Sequence, residues 1–248
     1  MKARLFIIFL STIGILSACK TSYVVKETNE NRISISEELP EDSTLVAMIK
    51  PYKETLDKKM NHVLAYNPHT LDKNGANFPL GIFITDLILK ETNEKFQKLH
   101  PGEKIDAVLM NTGGLRRTFE PGNLTVRSIY ELMPFENELV VVTLSSDQFV
   151  AMVNFLKESD KNHPIAGFSF HKNQEVLNIL VDGKPFDQNK NYNVVTNDYL
   201  QKGGDNMDFL TKPIKAEYLH LKLRDLFIEG LEKVDTIQLN KTPRYILN

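Results

Sequence analysis

Two adjacent glycines and a permanent positive charge stand close together in the segment Asn-Thr-Gly-Gly-Leu-Arg, residues 111–116. The preceding residues, 105–110, are apolar and are expected to form a buried strand. Glycines that follow a strand let the backbone approach a ligand closely. The guanidinium of Arg116 offers planar donors for a carboxylate, a phosphate or a ring nitrogen. The segment therefore predicts one side of a small-molecule site.

Two further segments could complete such a site. Phe135 follows Pro134 and offers a flat surface on which a planar ligand could stack. Far downstream, residues 203–206 (Gly-Gly-Asp-Asn) repeat the combination of a glycine pair with polar side chains. We expect these segments to surround a small molecule together with residues 111–116.

The elements that must position these segments are helices and strands in mixed order. Apolar residues at helical spacing predict helices over 42–60, 79–99, 147–158 and 216–231, with a helical turn over 128–132. Apolar or alternating runs predict strands over 62–66, 105–110, 124–126, 138–144, 167–170, 176–181 and 192–196, with a last strand near 237–239. Because these elements do not alternate strictly, we expect an α+β fold in which helices pack on a mixed sheet.

The first 18 residues are typical of a signal peptide. Lys2 and Arg4 precede an apolar run over 5–16, and small residues then lead to Cys19, the single cysteine of the chain. This spacing resembles a bacterial lipoprotein signal, in which the cysteine is lipidated. An ordinary secretory signal is the alternative, but it would leave an unpaired thiol in an oxidising compartment. We therefore expect a lipid anchor at Cys19 and a place in the bacterial cell envelope, on its periplasmic or surface face.

The rest of the chain divides into a short tether and one domain. Residues 19–40 are polar at first and are expected to form a tether with an edge strand, whereas 41–248 are expected to form the domain. Without residues 1–18, 28 basic residues face 32 acidic ones, so the composition gives no reason to expect nucleic-acid binding. The hydrophobic content of 42% is sufficient for a large core.

Four segments resemble a known family when they are taken together. Residues 111–116, 122–125, 132–137 and 199–205 occur in the same order and at similar spacing in the C-terminal domain of bacterial and animal 5′-nucleotidases. The resemblance extends from about residue 45 to the C-terminus. It implies an α+β fold that binds the nucleoside part of a nucleotide. It also implies that the chemistry belongs to a separate N-terminal metallophosphoesterase domain with two metal ions.

The resemblance implies a set of ligand-binding residues, which consists of Asn111, Gly113, Gly114, Arg116, Phe135, Asn197, Gly203, Gly204, Asp205 and Met207. Arg116 is expected to reach the ligand, although a solvent-exposed ion pair with Glu120 is an alternative. Phe135 is expected to stack on the base, and a core position beside Pro134 is an equal alternative. Asp205 is expected to hold the second glycine loop by accepting backbone N–H bonds rather than to act in catalysis.

Two ligand contacts that the resemblance implies are missing or altered in this chain. Met207 stands where the resemblance implies a second stacking aromatic, and Phe209 is a possible substitute. An expected upstream arginine aligns near Asn74, with Lys73 beside it. Asn111 either contacts the base or only forms the turn. An intact purine site is therefore not assured by the sequence.

Two functions remain open from the sequence. The metallophosphoesterase motifs are absent, and the histidines are scattered at 62, 69, 100, 163, 171 and 220, so no catalytic residue, metal or cofactor is expected on this chain. The first hypothesis is a lipid-anchored, nucleotide-binding half of a split 5′-nucleotidase, whose partner chain carries the divalent metals. The second is a non-enzymatic binding or scaffold lipoprotein in which the nucleotide site has decayed.

Overall fold

The structure is a computed structural model, which describes residues 23–28, 30, 32–34, 39–174 and 177–247. The expected signal at 1–18 and the expected lipidation site at Cys19 lie outside the described residues. The chain forms two compact units, residues 1–48 and 49–248. In the first unit, the described residues Tyr23, Val24, Val25, Ile33 and Ser34 belong to no strand, so the expected edge strand is not seen there. The remainder of that expected strand, including Ile35, lies outside the description.

The predicted helices lie close to their expected positions with one exception, and the structure adds a short helix at Asp198–Gln201 that was not predicted. The helices are α1 (Ser43–Met60), α2 (Pro79–Leu99), α3 (Val126–Leu132), α4 (Ser146–Glu158), α5 (Asp198–Gln201) and α6 (Leu223–Leu231). Pro79 occupies the first turn of α2, where its missing N–H costs nothing. Ser145 caps α4 by accepting a hydrogen bond from the backbone N–H of Gln148. Within the described residues, no helix combines the length and apolar character needed to cross a membrane.

The strands form one central sheet and two smaller ones. They are β1 (Val63–Asn67), β2 (Ala107–Leu109), β3 (Gly122–Thr125), β4 (Glu138–Leu144), β5 (Ile165–Ala166), β6 (Phe168–His171), β7 (Ile179–Val181), β8 (Lys184–Pro185), β9 (Tyr192–Asn197), β10 (Lys215–Lys222) and β11 (Tyr245–Ile246). The central sheet has the order β10-β4-β9-β2-β5. Strands β2 and β9 are parallel, whereas β4 runs antiparallel to β9, which confirms the expected α+β fold with a mixed sheet.

The core lies on both faces of the central sheet, because successive strand residues point to opposite sides. Val141 and Val195 pack with α2 and α6 in one apolar cluster. Val140 and Val194 pack with α4 and β6 in the other. The near-continuous apolar run of β4 is the sequence pattern of a strand that is covered on both faces.

The predicted helix over 216–231 is wrong in its first half. Residues Lys215–Lys222 form β10, which pairs antiparallel with β4 at the edge of the central sheet, and the helix begins only at Leu223. The free backbone edge of β4 accepts this segment as a strand, and that pairing outweighs its local helix propensity. The strand predicted near 237–239 is also absent. Instead, Ile237 donates its backbone N–H to the carbonyl oxygen of Tyr66, and the last strand is β11.

The topology brings three loops to one edge of the central sheet. Strands β2 and β9 are parallel neighbours, so the loops that follow their carboxyl ends emerge side by side. Strand β4 begins at that same edge, since Leu139 is paired with Asn197 at the end of β9. The loop 133–137, which connects α3 to β4, therefore lies beside the two glycine-containing loops.

Candidate functional site

The two glycine loops are joined by hydrogen bonds between side chains. Asn111 Nδ2 donates to Asp205 Oδ2 over 2.8 Å, although the residues are 94 positions apart. The hydroxyl of Tyr199 donates to Asp205 Oδ1 over 3.0 Å. Asp205 was expected to accept backbone N–H bonds, and it accepts these two side-chain donors instead. Its carboxylate thus fixes the first glycine loop and an aromatic ring relative to each other.

The second glycine loop has an unusual backbone conformation. Gly203 has a φ of 90°, and Asp205 and Asn206 follow with φ of 53° and 61°. Left-handed conformations cost free energy for residues other than glycine, and they persist where surrounding contacts fix them. The bonds of Asp205 to Asn111 and Tyr199 supply such contacts. Gly203 is therefore needed for its backbone freedom, and it does not line the cavity described next.

A cavity of about 300 Å³ opens where the three loops meet. Its lining includes Asn111, Gly113, Gly114, Arg116, Phe135, Asn137, Tyr199 and Asp205. This volume is at the lower end of the range for small-molecule sites. Two aromatic rings, a guanidinium and several amide or carboxylate groups on one cavity can bind a flat, polar, heteroaromatic ligand.

Phe135 and Arg116 lie together at the mouth of this cavity. Phe135 is 43% exposed, which excludes the alternative that it is a core residue. The guanidinium carbon of Arg116 lies 5.1 Å from the centre of the Phe135 ring, within the range of a cation–π contact. Glu120 accepts a hydrogen bond from Thr70 and forms no ion pair with Arg116. The cation is therefore available beside the exposed ring.

Tyr199 and Asn137 line the cavity, and the predicted set of ligand-binding residues contained neither of them. The ring of Tyr199 is 46% exposed. Met207, which was expected to form the second wall, is fully buried in the apolar cluster between α4 and the central sheet. The half-buried ring of Phe209 packs against Phe155 at 5.4 Å, so it does not replace the missing aromatic either. The second aromatic wall is Tyr199.

Asn197 and Gly204 act on the position of Tyr199. Asn197 is 2% exposed, and its Oδ1 accepts the backbone N–H of Leu200, which caps the short helix α5. It was expected among the ligand contacts, but it lies beneath the cavity and sets the direction of α5. Gly204 lies so close to the ring of Tyr199 that an added Cβ would be 2.5 Å from it. Only a glycine leaves the ring in this position.

His163 supports the first glycine loop from below. Its Nδ1 accepts the backbone N–H of Thr112 over 3.4 Å, and the hydroxyl of Thr112 donates to the carbonyl oxygen of Asn162. Burial lowers the pKa of His163 to about 4, because the charged imidazolium would lose its hydration. The ring is therefore neutral at physiological pH and keeps an acceptor for Thr112. The sequence did not predict this contact with Thr112, because a single histidine without neighbouring ligand residues forms no recognisable motif.

The described residues offer no group of three or more histidine, cysteine, aspartate or glutamate side chains that could hold a metal ion. The upstream segment expected to supply a cation does not reach the cavity. Asn74 bonds to the carboxylate of Asp72 through both its backbone and its side-chain nitrogen, and neither Lys73 nor Asn74 lines the cavity.

The fold and this site define the class of protein. A family model described as the 5′-nucleotidase C-terminal domain matches residues 60–212, and the chain belongs to this family. The chain is 26% identical to a 5′-nucleotidase of Vibrio vulnificus over 222 residues, which are 85% of this chain and 38% of that protein. It is 24% identical to the trifunctional nucleotide phosphoesterase YfkN of Bacillus subtilis, covering 91% of this chain and 16% of that protein.

Solved structures show the same fold. The 5′-nucleotidase precursor of Thermus thermophilus superimposes with a TM-score of 0.67 at 22% identity, over 84% of this chain and 44% of that one. The NAD nucleotidase of Haemophilus influenzae gives a TM-score of 0.63 at 18% identity, over 84% and 41%. The chain thus spans less than half the length of these relatives.

Proposed function

We propose that this chain is the lipid-anchored, nucleotide- or nucleoside-binding half of a split 5′-nucleotidase, which acts in nucleotide catabolism with a separate metallophosphoesterase chain. The observation that carries the proposal is the cavity between Phe135, Tyr199 and Arg116 in a member of the 5′-nucleotidase C-terminal domain family. The proposal places the divalent metals and the hydrolytic water on the partner chain.

The chemistry of the cavity suits a nucleobase. Each aromatic ring offers a face for stacking, which is worth roughly 1–3 kcal/mol per base. Arg116 can donate to a ring nitrogen or to a phosphate oxygen. The amides of Asn111 and Asn137 can donate to and accept from the edge of a base. These groups can recognise and hold a ligand.

The split arrangement is tested by reconstitution. We expect the purified chain to hydrolyse no AMP when Mn²⁺, Co²⁺ or Zn²⁺ is added. We expect turnover when the chain is mixed with a metallophosphoesterase encoded beside it that lacks a C-terminal domain of its own. Hydrolysis by this chain alone, abolished by a chelator, would contradict the proposal.

The anchor is proposed at Cys19 and is tested separately. We expect mass spectrometry of the protein purified from membranes to show a mature chain that begins at an acylated Cys19. A Cys19→Ala variant is expected in the soluble envelope fraction. An unmodified mature chain in that fraction would instead support an ordinary secretory signal.

A non-enzymatic scaffold lipoprotein is the second candidate. The observation that favours it is the upstream segment, where Asn74 bonds locally to Asp72 and Lys73 does not line the cavity. Titration with adenosine and AMP separates the two functions, because a decayed site binds neither. Binding that Arg116→Ala weakens supports the first candidate.

A further inference from the structure

Arg224 is an unusual residue to find inside this fold. It lies in the first turn of α6 and is 5% exposed, whereas the following residues Leu226 and Phe227 pack in the core. Burying a guanidinium costs free energy unless its N–H groups find partners. The partners of Arg224 therefore indicate why the residue is placed there.

The contacts of Arg224 converge on the loop that carries Phe135. We call residues 133–137 the stacking loop. Arg224 Nη1 donates to the carbonyl oxygen of Met133 over 3.2 Å and to that of Phe135 over 3.5 Å. Its Nη2 forms an ion pair with Glu136, and this hydrogen-bonded charge lowers the pKa of the Glu136 carboxyl. One side chain thus contacts Met133, Phe135 and Glu136 together.

The same guanidinium is also fixed from its flat side. Its central carbon lies 3.9 Å from the ring centre of Tyr130, which belongs to the helix preceding the stacking loop. Arginine is suited to this site because its planar group can stack on an aromatic ring while its edge donates hydrogen bonds. A lysine at this position could not make both kinds of contact.

Near Phe135, the stacking loop has two further ties, because the Arg116 guanidinium lies over the Phe135 ring and the Met133 side chain packs in the core. Neither is a hydrogen bond to the backbone at Phe135, which Arg224 supplies. The Phe135 ring is half-exposed, so core packing does not hold it. Pro134 has no N–H to donate. The other ties lie further along the loop, where Lys222 Nζ donates to the carbonyl oxygen of Glu136 and the Leu223 N–H donates to that of Asn137.

We propose that Arg224 is the positioning residue of the nucleoside site, which holds the stacking loop so that the Phe135 ring faces the cavity before a ligand arrives. The effect on affinity rests on the proposed nucleoside binding, whereas the anchoring of the loop needs no ligand. A ring held in place loses less conformational freedom on binding, so the anchor raises affinity without touching the ligand.

The anchoring is tested first without ligand. The chain has no tryptophan, so Phe135→Trp introduces a single fluorescent reporter on the stacking loop. We expect Arg224→Met and Arg224→Lys to lower the anisotropy of this introduced tryptophan and to increase its quenching by acrylamide. Arg244→Met is the matched control, because Arg244 is also largely buried but pairs with Asp86. It is expected to leave the reporter signal unchanged.

The consequence is tested by titrating adenosine into variants that keep Phe135. We expect Arg224→Met and Arg224→Lys to weaken binding by about tenfold, as is common when a group that orients a binding residue is lost. Arg244→Met should bind as the unchanged protein does. Glu136→Gln should stay near the unchanged value, because the bonds to the two carbonyl oxygens remain.

The outcomes separate this inference from the proposed function. If Arg224→Lys folds, leaves the reporter as rigid as before and binds adenosine unchanged, the positioning role is wrong. Equal losses in Glu136→Gln and Arg224→Met would also overturn it, since the ion pair alone would then hold the loop. If the unchanged protein binds no nucleoside but Arg224→Met still releases the reporter, the proposed function fails and the anchoring stands.

Discussion

At the scale of single residues, the exposed rings of Phe135 and Tyr199 form two walls of the cavity. An aromatic ring left half in water adds little to the folded state, so its place on a cavity is the feature that needs explaining. The carboxylate of Asp205 holds Tyr199 in position, because it accepts hydrogen bonds from the Tyr199 hydroxyl and from the Asn111 amide. The ring and the first glycine loop therefore form one connected surface.

Tyr199→Ala is expected to weaken adenosine binding by about 5- to 100-fold, because one stacking face is lost. Tyr66→Ala is the matched control, since Tyr66 is 47% exposed but lies in β1 and does not line the cavity. Calorimetric titration of both variants measures the difference. Equal affinities in the two variants would remove Tyr199 from the site.

His163→Gln is expected to change the pH dependence of stability. The pKa of His163 is lowered from 6.5 to about 4, so the unfolded chain takes up a proton in this range before the folded chain does. Stability is therefore lost as the pH falls from 6.5 towards 4, by roughly 3 kcal/mol from this group. Glutamine can still accept the Thr112 N–H but does not titrate.

Urea unfolding at several pH values between about 7 and 4 tests this expectation. The free energies of unfolding of the two proteins should converge towards the acidic end of this range, because only the unchanged protein loses the contribution of His163. Asp205, Lys161 and Lys172 also act on this ring and remain the same in both proteins. Parallel curves for the two proteins would show that His163 does not titrate in this way.

At the scale of elements, the site depends on the parallel pair β2 and β9. Both strands end at the same edge of the sheet, so the two glycine loops begin side by side there. The start of β4 adds the loop of Phe135 to that edge. This arrangement is a consequence of strand order, so it requires long-range pairing between segments as distant in the chain as Ala107 and Val194. Helices α5 and α6 then fix Tyr199 and the stacking loop.

Gly204→Ala is expected to displace the Tyr199 ring and to weaken adenosine binding, because the new methyl group would lie 2.5 Å from a ring atom. Gly183→Ala is the control. Gly183 has a φ of 70° with no atom within 4 Å of the added Cβ, so the substitution costs stability of the order of 1 kcal/mol but leaves the cavity intact. Comparing affinity with thermal stability in both variants separates the two effects.

The sequence was a good guide where local pattern and tertiary contact agree. The long amphipathic helix α2, the apolar strand β4 and the helix α4 were predicted close to their observed bounds. The segment 215–222 was not, because its strand state depends on the edge of β4 rather than on its own residues. Strand order and hydrogen-bond partners depend on residues distant in the chain, so no local sequence pattern predicts them.

The difference between local pattern and tertiary contact also explains which cavity residues were predicted from the sequence. Arg116 and Phe135 were placed at the ligand by their motifs, and both line the cavity. Met207 was placed there by its spacing from Asp205, but the left-handed turn at Asp205 and Asn206 directs it into the core. Tyr199 was overlooked because its contact with the cavity follows from the capping of α5 by Asn197.

At the scale of the whole molecule, the chain aligns with only part of the length of its relatives. It covers 38% of the Vibrio vulnificus 5′-nucleotidase and 44% of the Thermus thermophilus structure. We proposed above that this chain recognises the ligand and that a partner chain holds the metals. If that proposal is right, a nucleoside should raise the thermal stability of this chain, whereas added metal ions should not change it.

Adenosine is expected to raise the melting temperature of the chain, because a ligand at about a hundred times its Kd stabilises the folded state by about 2.7 kcal/mol. Mn²⁺, Zn²⁺ and EDTA are expected to leave the melting temperature unchanged. Differential scanning fluorimetry at several ligand concentrations measures both effects. An increase in melting temperature that requires metal and is reversed by EDTA would indicate a metal site on this chain. It would contradict the proposal that the partner chain holds the metals.

Isothermal titration calorimetry of the purified chain with adenosine is the most direct measurement of the central claim. The account predicts saturable binding at one site per chain, which Phe135→Ala weakens by about 5- to 100-fold through the loss of stacking. Absence of heat with adenosine and AMP, or binding that Phe135→Ala leaves unchanged, would contradict it.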